Sequence, residues 1–201
     1  MPAKIEEYSG KYCVKCGRQS NEIDMCRICL GIIEHNIRES IPEIYRNKNY
    51  FSELKLKQFS GGGWYIVGGV GTGKTQIAYS VFEYRQKKNM PTHFENIPKL
   101  LNSRNQINEK LQKYTNKRNS ALLILDDLGS ESSNDYNRSL LYELINERYC
   151  YNLPTLVTSN MSIADIAENI SERLASRLFA LCRHSVELKE DKRIKEKGLL
   201  R

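Results

Sequence analysis

The chain lacks any apolar run approaching the roughly 20 residues needed to cross a bilayer, and its first thirty residues hold charges and paired cysteines where a secretory leader has an apolar core. Both absences point away from membrane and export and toward the cytoplasm. Thiols stay reduced there, so the six cysteines read as metal ligands or free thiols, not disulfides. The three histidines, His35, His93 and His184, have no ligand spacing to one another and carry no assigned chemistry. No internal repeat is present. Residues 1–30 are also poor in large apolar side chains, so this segment cannot close a core of its own without a metal staple.

The remainder is a globular composition. Of 201 residues, 40% are hydrophobic and the formal net charge is +7. That excess suits a phosphate-rich partner, though it is modest for a dedicated DNA binder. Three segments follow from the composition: a cysteine module over 1–35, a helix and connector over 36–60, and an α/β core over 61–201. Ile32, Ile33, Ile37 and Ile41 recur at near-helical spacing up to Pro42. The stretch from Pro42 to Phe59 reads as a connector. From Trp64 strands and helices alternate. The strands are 64–67, 91–95, 121–125, 155–158 and 184–188; the helices are 74–87, 97–118, 137–149 and two short ones over 162–179. Alternation of this kind predicts a parallel sheet covered by helices on both faces. The apolar run Ala121–Leu125 has the character of a central strand.

The chemistry sits at the strand ends. Gly68, Gly69, Val70, Gly71, Thr72, Gly73, Lys74 and Thr75 spell GGVGTGKT between a strand and a helix. Glycines at this spacing allow positive φ and close backbone approach, so that N–H groups wrap a phosphate chain at the positive end of the helix. Gln76 continues that first turn. Lys74 is placed to reach the β and γ phosphates, and Thr75 to offer its hydroxyl to Mg²⁺. The run LLILDD ends a second strand on Asp126, a Mg²⁺ ligand, and Asp127, which can orient an attacking water. A third strand ends in Thr158, Ser159 and Asn160, where ligands bind in open α/β sheets; Asn160 is placed to meet the γ-phosphate or the water. Two CxxC turns, Cys13/Cys16 and Cys26/Cys29, bring four thiolates to one tetrahedral zinc ion, across a spacer of nine residues. Cys150 and Cys182 read as ordinary buried cysteines of the core.

Taken in order, GGVGTGKT, LLILDDLGSE, LINERYCYNLPTLVTSN and ERLASRL resemble the AAA+ helicase loaders of the DnaC/DnaI type and, equally, the IstB-type transposition helper ATPases. The resemblance covers about residues 41–193. It implies an AAA+ P-loop core behind a small zinc module, with ATP, Mg²⁺ and Zn²⁺ bound and slow, assembly-dependent ATP hydrolysis. It implies that Asn160 is the sensor of the γ-phosphate. Arg173 and Arg177 fall in the motif that supplies an arginine finger to a neighbouring copy, and Arg177 matches the finger better. It implies single-stranded DNA contact by the basic stretch Ile97–Arg118, with Lys99, Arg104, Lys110, Lys113, Lys117 and Arg118 meeting phosphate and Tyr114 stacking on a base. A hexameric replicative helicase is the implied partner, docked through the zinc module, with direct nucleic-acid binding as that module's competing role. Two departures stand out. The second acid is Asp127 where AAA+ ATPases usually carry Glu, and the chain ends soon after Leu188 without a lid, which this branch lacks. The competing readings are an IstB-type ATPase directing a transposase, a P-loop nucleotide kinase, and a nucleotide-gated adaptor with negligible hydrolysis.

Overall fold

The computed structural model describes residues 18, 27–46, 53–59, 61, 63–103, 106–116, 121–130 and 134–189. It divides into two compact units, Met1–Arg46 and Asn47–Arg201. In the first, helix α1 spans Arg27–Ser40 and buries Cys29 and Ile37, with Ile41 buried just beyond it, while Ile32 is half exposed. Pro42 stops the helix. The Arg46 guanidinium donates to the Ile41 carbonyl at 2.7 Å, closing the chain back on the helix end.

The second unit opens with α2, Glu53–Phe59, inside the stretch read as a connector. Leu56 and Phe59 are apolar at helical spacing, and they pack into one cluster with Ile77, Ala78 and Val81. Five strands follow: β1 Trp64–Gly68, β2 Thr92–Asn96, β3 Leu122–Leu128, β4 Thr155–Ser159 and β5 His184–Leu188. They form one sheet in the order β2-β3-β4-β1-β5, with every pairing parallel. Successive side chains alternate between the faces. Ile66, Leu122, Ile124 and Leu156 face α2 and α3, the latter spanning Lys74–Lys87. Tyr65, Leu123, Leu125 and Val157 face the other layer. That layer comprises α4 Ile97–Asn102, α5 Ile107–Thr115, α6 Asp135–Cys150, α7 Ile163–Asn169 and α8 Glu172–Leu181. Burial from both sides explains why β3 is an unbroken apolar run.

The single helix expected over 97–118 is two helices. Asn96 caps α4, its side chain accepting from Lys99 N, and Ser103 turns back to donate to the Leu100 carbonyl at 2.6 Å. Short polar side chains offer the backbone such alternatives to helix. The apolar positions are also out of phase: Ile97, Leu100 and Leu101 serve α4, whereas Ile107, Leu111 and Tyr114 serve α5. Tyr114 does not present a ring for base stacking. It is buried, packs on His93 and donates its hydroxyl to Glu95, and burial pushes its phenol well above the usual range. Glu95 also pairs with Lys110 at 3.0 Å. Lys99 and Lys113 remain exposed; Arg104, Lys117 and Arg118 lie outside the described residues.

Arg148 anchors the end of α6. It is 1% exposed and donates to Thr155 Oγ1 at 2.9 Å, the Pro154 carbonyl at 2.7 Å, the Ala121 carbonyl at 3.3 Å and the Tyr114 carbonyl. One guanidinium thus joins α5, α6 and the starts of β3 and β4. Burial lowers its pKa to about 10. Of the two cysteines read as buried in this unit, Cys182 is buried, with its thiol pushed up to about 12, but Cys150 is exposed as the last residue of α6. Among the described residues, no helix is long and apolar enough to cross a membrane.

Candidate functional site

The strand order decides where the motifs meet. β4 lies between β1 and β3, so its carboxyl end falls between the glycine loop and the acidic pair. The loop leaves β1 at Gly68, where a Cβ would meet the Leu188 carbonyl oxygen at 2.5 Å and Thr72 Oγ1 at 2.9 Å. Gly71 and Gly73 have φ of 85° and 93°, the region that excludes most side chains. Thr72 Oγ1 donates to the Gly69 carbonyl at 2.9 Å and closes the turn. Gly73 leads into α3, so the first turn of the helix faces the loop's mouth. Gln76 is buried in that turn, and Val70 is exposed at the loop's tip.

Lys74 is 7% exposed. Its ammonium donates to the carbonyls of Gly68 and Gly69, both at 2.8 Å, and to Asn160 Oδ1 at 2.7 Å. A buried cation, a helix N-terminus and a loop shaped by glycines together make a phosphate cradle.

Across the mouth, Asp126 is 4% exposed. It accepts from Thr158 Oγ1 at 2.7 Å and Thr75 Oγ1 at 3.3 Å, and from the side chain of Asn96. Burial is the largest influence on this carboxyl and pushes it above the usual range, with Asp127 adding to the rise and the three hydrogen bonds opposing it. A carboxylate and a hydroxyl this close are hard oxygen donors of the kind Mg²⁺ takes, so the residues fit the ion.

The strand is irregular at the acids. Leu125 pairs with Val157 and Leu128 with Ser159, which puts one extra residue in β3. Such a bulge re-aims side chains. Asp127 takes φ of 69°, its N–H donates to Thr158 Oγ1 at 3.0 Å, and its Oδ1 accepts from Ser130 Oγ at 2.7 Å and Asn160 Nδ2 at 3.5 Å. Asn160 therefore bridges the loop lysine and the second acid. In a regular strand, adjacent carboxylates would point to opposite faces; here both reach the mouth.

Lys74, Thr75, Asp126, Asp127 and Asn160 are thus gathered in one place. Arg173 and Arg177 are elsewhere: α8 packs chiefly on α6 and α7, Arg173 is exposed, and the Arg177 guanidinium lies over the Tyr149 ring, 5.1 Å from its centroid. Cys13, Cys16 and Cys26 lie outside the described residues, and Cys29 is buried in the first turn of α1. Three contributors have no motif of their own. Thr158 holds both acids; its place at a strand end was legible, its role was not. Asn96 becomes visible only in register, opposite Asp126. Ser130 acts through the turn that follows the bulge.

Because the folded state raises the pKa of Asp126, its ionised form costs stability above that pKa, and the cost disappears as pH falls and the group is protonated. Asp126→Asn is therefore predicted to melt at or above the wild-type temperature at pH 7.5, by about 2–4 °C for each kcal/mol relieved. It should lose the thermal shift that Mg²⁺ with nucleotide gives the wild type. Calorimetry checks this; a variant several degrees less stable than wild type would contradict it.

The model of the IstB-like ATP binding protein family matches residues 63–197. Comparison with curated proteins gives no match. Among solved structures, the chain is similar to the DnaC helicase loader at 25% identity and a TM-score of 0.58, over 74% of this chain and 99% of that one. It is similar in fold to DnaI, at 24% identity and a TM-score of 0.59, over 75% of this chain and 92% of that one. It is likewise similar in fold to AMPPCP-bound DnaA from Aquifex aeolicus, at 20% identity and a TM-score of 0.55, over 87% of this chain and 53% of that one. With the glycine loop, the acidic pair and the intervening strand end in place, the chain belongs to the IstB-like ATP-binding family and carries the P-loop AAA+ core that the DnaC and DnaI structures share.

Proposed function

We propose that this chain is a cytoplasmic ATPase that loads a hexameric replicative helicase onto single-stranded DNA. The observation that carries this reading is the likeness to the DnaC helicase loader across 99% of that chain. A second reading, an IstB-type transposition helper that assembles on duplex DNA, is favoured by the family match over residues 63–197.

The proposed chemistry follows from the mouth. Backbone N–H groups of Gly69–Thr75 and the Lys74 ammonium bind the β and γ phosphates of ATP. Thr75 and Asp126 would hold Mg²⁺, which would supply neutralisation of phosphate charge. Asp127 orients a water in line with the bond to the β–γ bridging oxygen. The water oxygen bonds to phosphorus as that bond breaks, ADP leaves with the bridging oxygen, and the released phosphate keeps the two protons of the water. Asn160, joined to both Lys74 and Asp127, couples the phosphate to the water. Arg177 is delivered to the site of a neighbouring copy from a helix that packs chiefly on α6 and α7; such a residue is worth about 10³–10⁵ in rate in other NTPases. Lys99 and Lys113 are the described cations of α4 and α5 left exposed for DNA phosphate. Cys13, Cys16, Cys26 and Cys29 would bind one zinc ion, and that module would dock on the helicase.

Affinity capture from the native cell, read by mass spectrometry, is predicted to return the replicative helicase as the dominant partner; a transposase in its place would select the IstB-type reading. Arg177→Ala should bind ATP yet not hydrolyse it, and should regain turnover when mixed with Lys74→Ala, because hybrid interfaces join an intact loop to an intact finger. A mixture that co-assembles but stays inactive would refute the trans role. Metal analysis is predicted to give one zinc per chain, lost in the double substitution Cys26→Ser and Cys29→Ser; retention of zinc there would remove the assignment.

A further inference from the structure

We propose that Tyr149 positions the Arg177 guanidinium for the nucleotide site of a second copy of this chain, an inference that rests on the trans role proposed for Arg177. An arginine near a surface has many rotamers, and a finger must arrive already extended in one of them. The Tyr149 ring, 39% exposed, lies under the guanidinium at 5.1 Å, within the range of cation–π attraction.

The geometry of this support matters. A cation–π contact attracts the guanidinium without tying its N–H donors to an acceptor oxygen. An ion pair would consume those donors. Among the described residues Arg177 makes no ion pair, so no carboxylate competes with phosphate oxygens for its N–H donors.

Both members are fixed from below. Arg148, next to Tyr149, is locked inward by four acceptors, which prevents α6 from rotating at its end and sets Tyr149 at the rim. Leu174 and Leu178, three residues before Arg177 and one after it, are fully buried, in one cluster with Leu141, Leu144 and Ile145 of α6. The ring and the cation are thus brought together by two helices whose inner faces cannot shift independently.

The test compares Tyr149→Phe with Tyr149→Leu in steady-state ATPase assays of the assembled protein, with ATP binding and sedimentation measured alongside. Tyr149→Phe keeps the ring face and should retain wild-type kcat. Tyr149→Leu keeps the apolar bulk without the π-face and should lower kcat about 3- to 30-fold, with ATP affinity and assembly unchanged. Mixing Tyr149→Leu with Lys74→Ala should restore turnover at hybrid interfaces, since the damage lies on the finger side. Equal activity of Phe and Leu variants, faster turnover in Tyr149→Leu, or loss of assembly would each overturn the proposal. Arg177→Ala is the control: if it hydrolyses at the wild-type rate, the finger reading itself falls. If it is inactive while Tyr149→Leu is fully active, only the role of Tyr149 falls.

Discussion

The site depends on one buried cation. The Lys74 ammonium is held between the carbonyls of Gly68 and Gly69 and the Asn160 amide oxygen. These acceptors come from two different strand ends, so the contact exists only because β1 and β4 are neighbours. The sheet order then places β3 on the other side of β4. A phosphate entering the loop offers Lys74 a charged acceptor in place of neutral ones, a stronger partner in a poorly solvated site. Whatever draws Lys74 also acts on Asn160, and through Asn160 Nδ2 on Asp127.

The acidic pair shows a local irregularity serving chemistry. Asp126 and Asp127 have different surroundings despite being adjacent. Asp126 is buried under three hydrogen bonds and suited to an ion; Asp127 is half-buried, in a left-handed conformation, and tied to Ser130 and Asn160. Thr158 reaches both, donating to one carboxylate and accepting from the other residue's N–H. Asp is among the residues that tolerate this backbone region. Its short side chain is held by the turn through Ser130.

Much of this was legible because the signals were local. The loop GGVGTGKT, the helix Lys74–Lys87 and the strand His184–Leu188 follow from glycine spacing and apolar periodicity, and the structure has them at those bounds. Asn160 was legible as a polar residue at a strand end. What escaped depended on pairing. The bulge in β3 is defined by register against β4, and Asn96 matters because it sits opposite Asp126. The stretch 97–118 was misread as one helix because its charge is continuous while its apolar phase is broken. Tyr114 was offered to DNA on the strength of neighbouring lysines, but Glu95, on another element, claims its hydroxyl. Cys150 was taken as buried by type, and its position at the end of α6 exposes it.

The most direct test of the central claim is a crystal structure of the chain with Mg²⁺ and a non-hydrolysable ATP analogue. The account predicts Lys74 Nζ within hydrogen-bonding distance of a β- or γ-phosphate oxygen and parted from the Gly68 and Gly69 carbonyls, with the ion between Thr75 and Asp126. A nucleotide bound elsewhere, or bound in the loop with Lys74 still on those two carbonyls, would contradict it.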